Sequence, residues 1–310
     1  MPNESFNQHP SWHRYRQLLR RVFGLDLPEA ITEVWQEVRG HRLRMDVWDP
    51  ESAAKGTIIL VHGAGGHGRL LAPFAAPLCQ NGWRVLSPDL PGYGLTQPDR
   101  SKTLKYAEWV EIIAELANAQ PGPVVLVGAS MGGLTAVYAA IKTARVSGCF
   151  VTTLIDLSKK ETFAKAARWP WLGWLSVLGF TVMPWALRRF KMPLKLVAPL
   201  KAMSANRTVQ AYFQDDLLLG RNWLPLGFWE SVFKYRVTEL ALTCPLWLVH
   251  PGEDDWTPLD ISLQTFERIQ AEKDIKVLSN GSHLPLEQPA FAELSSLMEA
   301  FLATIVEEEA

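Results

Sequence analysis

The stretch PVVLV (123–127), GASMGG (128–133) and LTAVYAAI (134–141) decides how this chain folds. The first segment is apolar and mostly β-branched, as in a strand buried on both faces, and the last is helix-like. Between them lies a G-x-S-x-G pattern, Gly128 to Gly132. At ordinary residue frequencies it should arise by chance roughly 0.1 times in a chain of this length, so alone it decides little. Its position between strand and helix gives it a mechanical meaning. A serine on a tight, strained turn needs small neighbours two residues away on either side. The helix that follows aims its positive amino end at the place where negative charge would develop. Ser130 is therefore the candidate nucleophile. The bland alternative is a glycine-rich turn into a helix, and the surrounding loops have to decide.

HGAGG (62–66) follows the apolar run TIILV (57–61). A glycine-rich loop there lets a backbone N–H approach a substrate oxygen. The expected oxyanion pair is Ala64 N–H with Met131 N–H, the latter belonging to the residue after the nucleophile. A phosphate cradle fits poorly: there is no G-x-x-x-x-G-K-[ST]. His62 reads as a brace for the loop rather than a catalyst, and His67 receives no role. NGSH (280–283) ends the last strand-like run and puts His283 on the carboxyl rim of a parallel sheet, where such sheets form their sites. The acid should fall between serine and histidine in the chain. LVHPGEDDWTP (248–258) supplies it, with Asp254 and Asp255 adjacent. Asp156, at the end of the run 149–155, is a third candidate.

In this order the motifs resemble those of the α/β-hydrolase family, and the likeness covers the whole core, about 230 residues. Members often read strand, then G-x-x-D, then a proline four residues after the acid. Asp254 stands four residues before Pro258 and four after His250, aligning without a gap, whereas Asp255 fits the Gly252 spacing. The resemblance favours Asp254. DLPGYG (89–94) looks like the family's D-x-P-G-x-G loop and is read as structural. Relatives of the dehalogenase and epoxide-hydrolase kind carry aspartate at the elbow, and dienelactone-hydrolase-like ones carry cysteine. A serine there implies acyl transfer through an ester intermediate, without metal or organic cofactor. The nearest subgroup is that of serine esterases and lipases akin to monoacylglycerol lipases and lysophospholipases. The same triad would serve an acyltransferase, thioesterase, lactonase or cofactor-free perhydrolase. The same fold also hosts non-catalytic ligand- or partner-binding proteins with broken triads; here serine, acid and histidine are all present, which speaks for an enzyme.

Outward from the elbow, Ile31–Val38 and His41–Trp48 read as an antiparallel hairpin turned at Arg39–Gly40. Strand-like runs then recur at Thr57–Val61, Arg84–Ser87, Val124–Val127, Cys149–Ile155, Leu246–Val249 and Ile275–Leu278, separated by helix-like stretches. The expectation is a mostly parallel, doubly wound α/β sheet with an N-terminal antiparallel edge. The spacing breaks once, between Ile155 and Leu246. Residues 1–155 and 238–310 are read as core, and 156–237 as an inserted helical cap. That insertion holds thirteen Lys/Arg against five Asp/Glu, and six of the thirteen tryptophans.

Net charge over the 310 residues is −1, which gives no electrostatic case for nucleic acid. The cysteines, Cys79, Cys149 and Cys244, are odd in number and widely spaced, which excludes a disulfide framework or a zinc ribbon. With no apolar run in MPNESFNQHP (1–10), a cytoplasmic protein without a secretory signal is expected. The run Trp169–Leu187 is nineteen residues without a charge, the length of a membrane span. If it crossed a bilayer, Ser130 and His283 would lie on opposite sides, and Pro170, Gly173, Gly179 and Pro184 also interrupt it. Two readings remain. Trp169, Trp171 and Trp174 pack together and roof an apolar acyl pocket. Alternatively the run is a lid lying in a membrane or micelle interface, flanked by Arg168, Arg188, Arg189, Lys191 and Lys195. Either predicts a small-molecule ester or lipid with a hydrophobic acyl chain.

Overall fold

A computed structural model describes residues 4–309 apart from Pro184, Ala186 and Leu187. Ten strands are present among these residues: β1 (Thr32–Val38), β2 (His41–Trp48), β3 (Thr57–Val61), β4 (Arg84–Pro88), β5 (Val124–Gly128), β6 (Val146–Val151), β7 (Lys191–Pro193), β8 (Trp223–Pro225), β9 (Leu246–His250) and β10 (Lys273–Val277). Eight form one sheet in the order β1-β2-β4-β3-β5-β6-β9-β10. From β4 to β10 the pairs are parallel, with β3 and β5 in register from Thr57 opposite Val124 to Val61 opposite Gly128. A first helix, α1 (Pro10–Phe23), precedes the β1–β2 hairpin, which adds an antiparallel edge on β4. This is the expected sheet.

Side chains alternate across it, as the strand period requires. Ile58, Leu60, Val125, Val127 and Phe150 point into one hydrophobic layer with α2 (Ala72–Gln80), while Ile59, Val61, Leu126 and Val151 point into the other with α3 (Tyr106–Asn118) and α4 (Met131–Lys142). β6 starts three residues earlier than the apolar run suggests, because Ser147 and Gly148 interrupt that run without ending the strand. A Cβ on Gly148 would stand 2.8 Å from both Phe301 and Ile305, so the C-terminal helix requires that the position stay bare.

The segment between β6 and β9 holds α5 (Lys160–Ala166), α6 (Pro170–Val182), α7 (Leu194–Val197), α8 (Arg207–Asp215) and α9 (Leu226–Lys234). It also holds an antiparallel pair, β7–β8, three residues long on each side, which the apolar pattern did not signal. α6 is thirteen residues long, so at about 1.5 Å per residue it falls well short of a roughly 30 Å hydrocarbon layer. No described helix is long and apolar enough to cross a membrane. The expected interruptions act differently from expectation. Pro170 opens the helix at its first turn, where its missing N–H is harmless. Gly173 and Gly179 sit inside the helix; at Gly173 a Cβ would come within 2.5 Å of the Ala164 backbone, so this glycine lets α6 lie against α5. Pro184 and Leu187 lie outside the described residues.

Candidate active site

Ser130 stands between β5 and α4 with φ 57° and ψ −131°; the only other described non-glycine residue with positive φ is Arg39, in the β1–β2 turn. Side chains avoid this region on steric grounds, and such strain is held only where the surroundings over-determine it. They do so here. A Cβ on Gly128 would lie 2.4 Å from the Gly132 carbonyl oxygen, and one on Gly132 would lie 2.1 Å from that of Val61. The flanking glycines are what allow α4 to start so close to the sheet.

Ser130 lines a cavity of about 490 Å³ together with Ala64 and Met131. The remaining wall is apolar and includes Ile155, Leu157, Phe163, Trp229 and Trp256. The 62–66 loop abuts the elbow, since a Cβ on Gly63 would meet the Ser130 Cβ at 2.7 Å and the Met131 nitrogen at 3.0 Å. Among the described residues neither the Ala64 nor the Met131 amide donates a hydrogen bond. Two N–H groups, one in this loop and one on the first residue of α4, are thus left without an acceptor among the described residues beside the serine. His62 braces this loop. It is buried, its Nε2 accepts the Leu90 N–H at 2.9 Å, and its Nδ1–H therefore donates to the Gly63 carbonyl at 2.8 Å. Burial drives its pKa down to about 4, so the ring stays neutral. His67, which the sequence left without a role, caps a short 3₁₀ turn by accepting the Leu70 N–H, and lies against Phe6.

At the ends of β9 and β10 two loops meet. His283 is buried, and its Nδ1–H donates to Asp254 Oδ2 at 2.7 Å. The other Asp254 oxygen accepts the Trp256 and Thr257 amides, both at 2.9 Å. Burial alone would raise the Asp254 carboxyl; the facing imidazole and the Thr257 amide hold it below the ordinary aspartate range. Asp255 points to solvent. Asp156 is engaged elsewhere, in an ion pair with Arg268 at 3.0 Å and a hydrogen bond from Ser158. His283 Nε2 is buried and has no hydrogen-bond partner among the described residues, Ser130 included. Trp256 connects the two halves of the site: its ring packs on His283 with centroids 4.7 Å apart and also lines the Ser130 cavity, and its Nε1–H is fixed to the Ala166 carbonyl at 3.1 Å.

The structure differs from expectation at the tryptophans. Trp169 and Trp171 do stack, centroids 6.3 Å apart. Yet neither they nor Trp174 line the cavity; all three face solvent, and Trp229 and Trp256 occupy the wall instead. The apolar run says nothing about which way a helix faces, whereas the place of Trp256 two residues after Asp254 was a usable signal. A second feature had no sequence signal. Arg44 and Arg69, both fully buried, are enclosed by Glu33, Asp46 and Asp89. Asp89 also accepts the Gly68 and Leu95 amides, and burial raises its pKa to about 6. The cluster ties β2 to the segment just after the 62–66 loop.

Comparison with known proteins gives a consistent picture. A family model described as "Alpha/beta hydrolase family" matches residues 58–293. An abhydrolase domain-containing protein of Dictyostelium discoideum is 24% identical over 254 residues, 78% of this chain but 25% of that protein. A pimeloyl-[acyl-carrier protein] methyl ester esterase of Xanthomonas oryzae pv. oryzae is 32% identical over 114 residues, 36% of this chain and 40% of its own length. The chain therefore spans less than half the length of both. A Vibrio vulnificus protein of the same name is 25% identical over 239 residues, 74% of this chain and 87% of that one. Among solved structures, a monoglyceride lipase of Saccharomyces cerevisiae superposes with a TM-score of 0.69 at 17% identity, covering 89% of this chain and 95% of the other. A Paleococcus ferrophilus monoacylglycerol lipase gives 0.64 at 21%, covering 86% and 99%. At these identities the structures speak for the fold.

Proposed function

Because the chain belongs to the alpha/beta hydrolase family, we propose that it is a serine hydrolase cleaving carboxylic esters with an apolar acyl group through an acyl-enzyme intermediate. One observation carries the reading. A buried imidazole has its Nδ1 committed to a buried aspartate and its Nε2 left without a protein partner, and it lies against the tryptophan that shares a cavity with a strained serine. That tautomer leaves the Nε2 lone pair available as a base. Catalytic hydrogen bonds are often long before substrate is bound, so the missing Ser130–His283 bond is compatible with the role.

In this mechanism Ser130 Oγ attacks the ester carbonyl while His283 Nε2 takes its proton. Asp254 keeps the ring oriented and stabilises the imidazolium without becoming protonated itself. The Ala64 and Met131 amides receive the tetrahedral oxyanion, each worth about 3–4 kcal/mol. Collapse expels the alcohol, which takes the proton from His283. A water deprotonated by the same nitrogen then releases the acid and restores Ser130. Residues 156–237 act as a cap that supplies much of the apolar wall, Phe163 and Trp229 among it. The wall favours an acyl chain over a sugar or charged peptide, because burial of apolar surface is the binding energy on offer. The names of the relatives, methyl ester esterase and monoacylglycerol lipase, support an ester bond.

A fluorophosphonate probe tests the assignment. Wild-type protein should be labelled and Ser130→Ala should not; labelling that persists in the alanine variant would overturn it.

A further inference from the structure

We infer that the outer face of α6 docks on an anionic lipid bilayer and that acyl substrate reaches Ser130 from that surface, beneath the helix. The second half of the inference rests on the ester-hydrolase reading; the first does not. Trp171, Trp174, Leu178 and Val182 follow one another at helical spacing, each between 47% and 65% exposed. Trp185, Phe190 and Trp223 are exposed as well. A contiguous apolar face of this size is unusual on a soluble surface and marks a contact site. Tryptophan, with an apolar body and a polar N–H, suits the boundary between water and acyl chains.

A second cavity, of about 690 Å³, lies under this helix and indicates the route. It shares Phe163, Ala167, Val197 and Trp229 with the cavity that holds Ser130. It is also lined by Leu175, which is itself 56% exposed on α6. An apolar path thus runs from the exposed helix to the nucleophile.

Charge selects the occupant. Arg168, Arg189, Lys191 and Lys195 border the apolar face, and none forms an ion pair among the described residues. The acids of the same segment are largely consumed: Asp156 by Arg268, Asp216 by Arg14, Glu230 by Arg188 and Lys234. The rim is therefore net positive and matches anionic headgroups. A second copy of this chain, packed symmetrically on the same face, would bring two positive rims together. That argues against self-association.

The experiment uses Ser130→Ala protein, so that binding is read without turnover, and sediments it with phosphatidylcholine vesicles with or without phosphatidylserine. Sedimentation should be several-fold greater with phosphatidylserine, and Trp171→Gln/Leu178→Gln in the same background should lower it at least about tenfold. In the otherwise wild-type chain the double substitution should leave hydrolysis of dissolved p-nitrophenyl butyrate unchanged, which also reports folding, while slowing hydrolysis of a long-chain monoacylglycerol held in the vesicles. No sedimentation with either vesicle, equal sedimentation with both, or sedimentation indifferent to the double substitution overturns the docking. So does a dimer in analytical ultracentrifugation that the double substitution dissociates. Failure of the ester reading would appear separately, as wild-type protein that the fluorophosphonate does not label.

Discussion

The rim of the sheet and the segment that crosses above it position side chains by different means. At the rim, each candidate group is fixed by backbone within a few residues of a strand end. Ser130 is held by its own dihedral strain and the glycines beside it, Asp254 by the amides of Trp256 and Thr257, and the 62–66 loop by His62. In the crossing segment nothing comparable operates. α6 is apolar on nearly every side, so its rotation is set by what it packs against: Val177 and Phe180 turn inward, and Trp171, Trp174 and Leu178 turn out. Chemistry written into local backbone geometry is decided by sequence neighbours, and chemistry written into packing is decided by distant ones.

The sharpest way to break this contrast lies at the rim. If local geometry assigns roles there, two adjacent aspartates must behave differently. Asp254→Asn keeps the shape but removes the charge facing His283, and such a change in a serine triad lowers kcat about 10⁴-fold. Asp255→Asn alters a solvent-facing side chain and should leave kcat within about twofold of wild type, since it touches neither the imidazole nor the cavity. Steady-state hydrolysis of a soluble p-nitrophenyl ester measures both. Equal losses, or a larger loss at 255, would mean that the loop is not held as its hydrogen bonds indicate.

A smaller effect separates the regions by acid. None of the seven histidines lies in 156–237, so their titration falls on the core alone. Burial lowers the pKa of His41, His62, His67 and His250. For such a group the unfolded chain takes up a proton first, so stability is level above pH 6.5 and declines as the pH falls toward the folded value. For His62, between 6.5 and about 4, the decline amounts to about 3 kcal/mol. Asp89 works the other way. Its folded pKa of about 6 exceeds that of a free aspartate, so the folded state binds the proton first and gains stability over a similar window, offsetting about one histidine. The melting temperature should therefore fall below pH 6.5, and His62→Gln should make the fall shallower by about one proton. A profile that stays flat to pH 4.5 would remove the case that these rings are buried neutral.

The same contrast explains what was legible in the chain. The turn that holds Ser130, the 62–66 loop, the loop that holds Asp254 and the segment that holds His283 are short motifs at strand ends, and the sheet follows from apolar runs whose length and alternation are local properties. The start of β6 was not legible, because Gly148 serves the packing of Phe301 and Ile305, more than 150 positions away. The enclosure of Arg44 and Arg69 was not legible either, since its acids come from β1, β2 and the loop after β4. The tryptophans of α6 looked like a roof because composition alone cannot rotate a helix, whereas Trp229 carried no signal until α9 was placed over Ser130.

Trp229 gives the mildest test and bears most directly on the crossing segment. It is nearly buried on α9 and lines both cavities, where the path from Ser130 continues under α6. Trp229→Leu keeps an apolar side chain there, so the fold should tolerate it better than alanine, but it widens the junction. Discrimination by an apolar pocket is worth about 1–3 kcal/mol per methylene, so the ratio of kcat/KM for long over short acyl chains should rise by about tenfold. Trp171→Leu, on the exposed side of α6, removes an indole of the same size from the same segment and should leave that ratio unchanged on soluble esters. A series of p-nitrophenyl esters of increasing length measures both variants. If the two substitutions shift the ratio alike, α6 presents its outer tryptophans to the substrate after all. If neither does, the acyl chain leaves Ser130 by a path that does not pass α9, and the apolar wall there is structural.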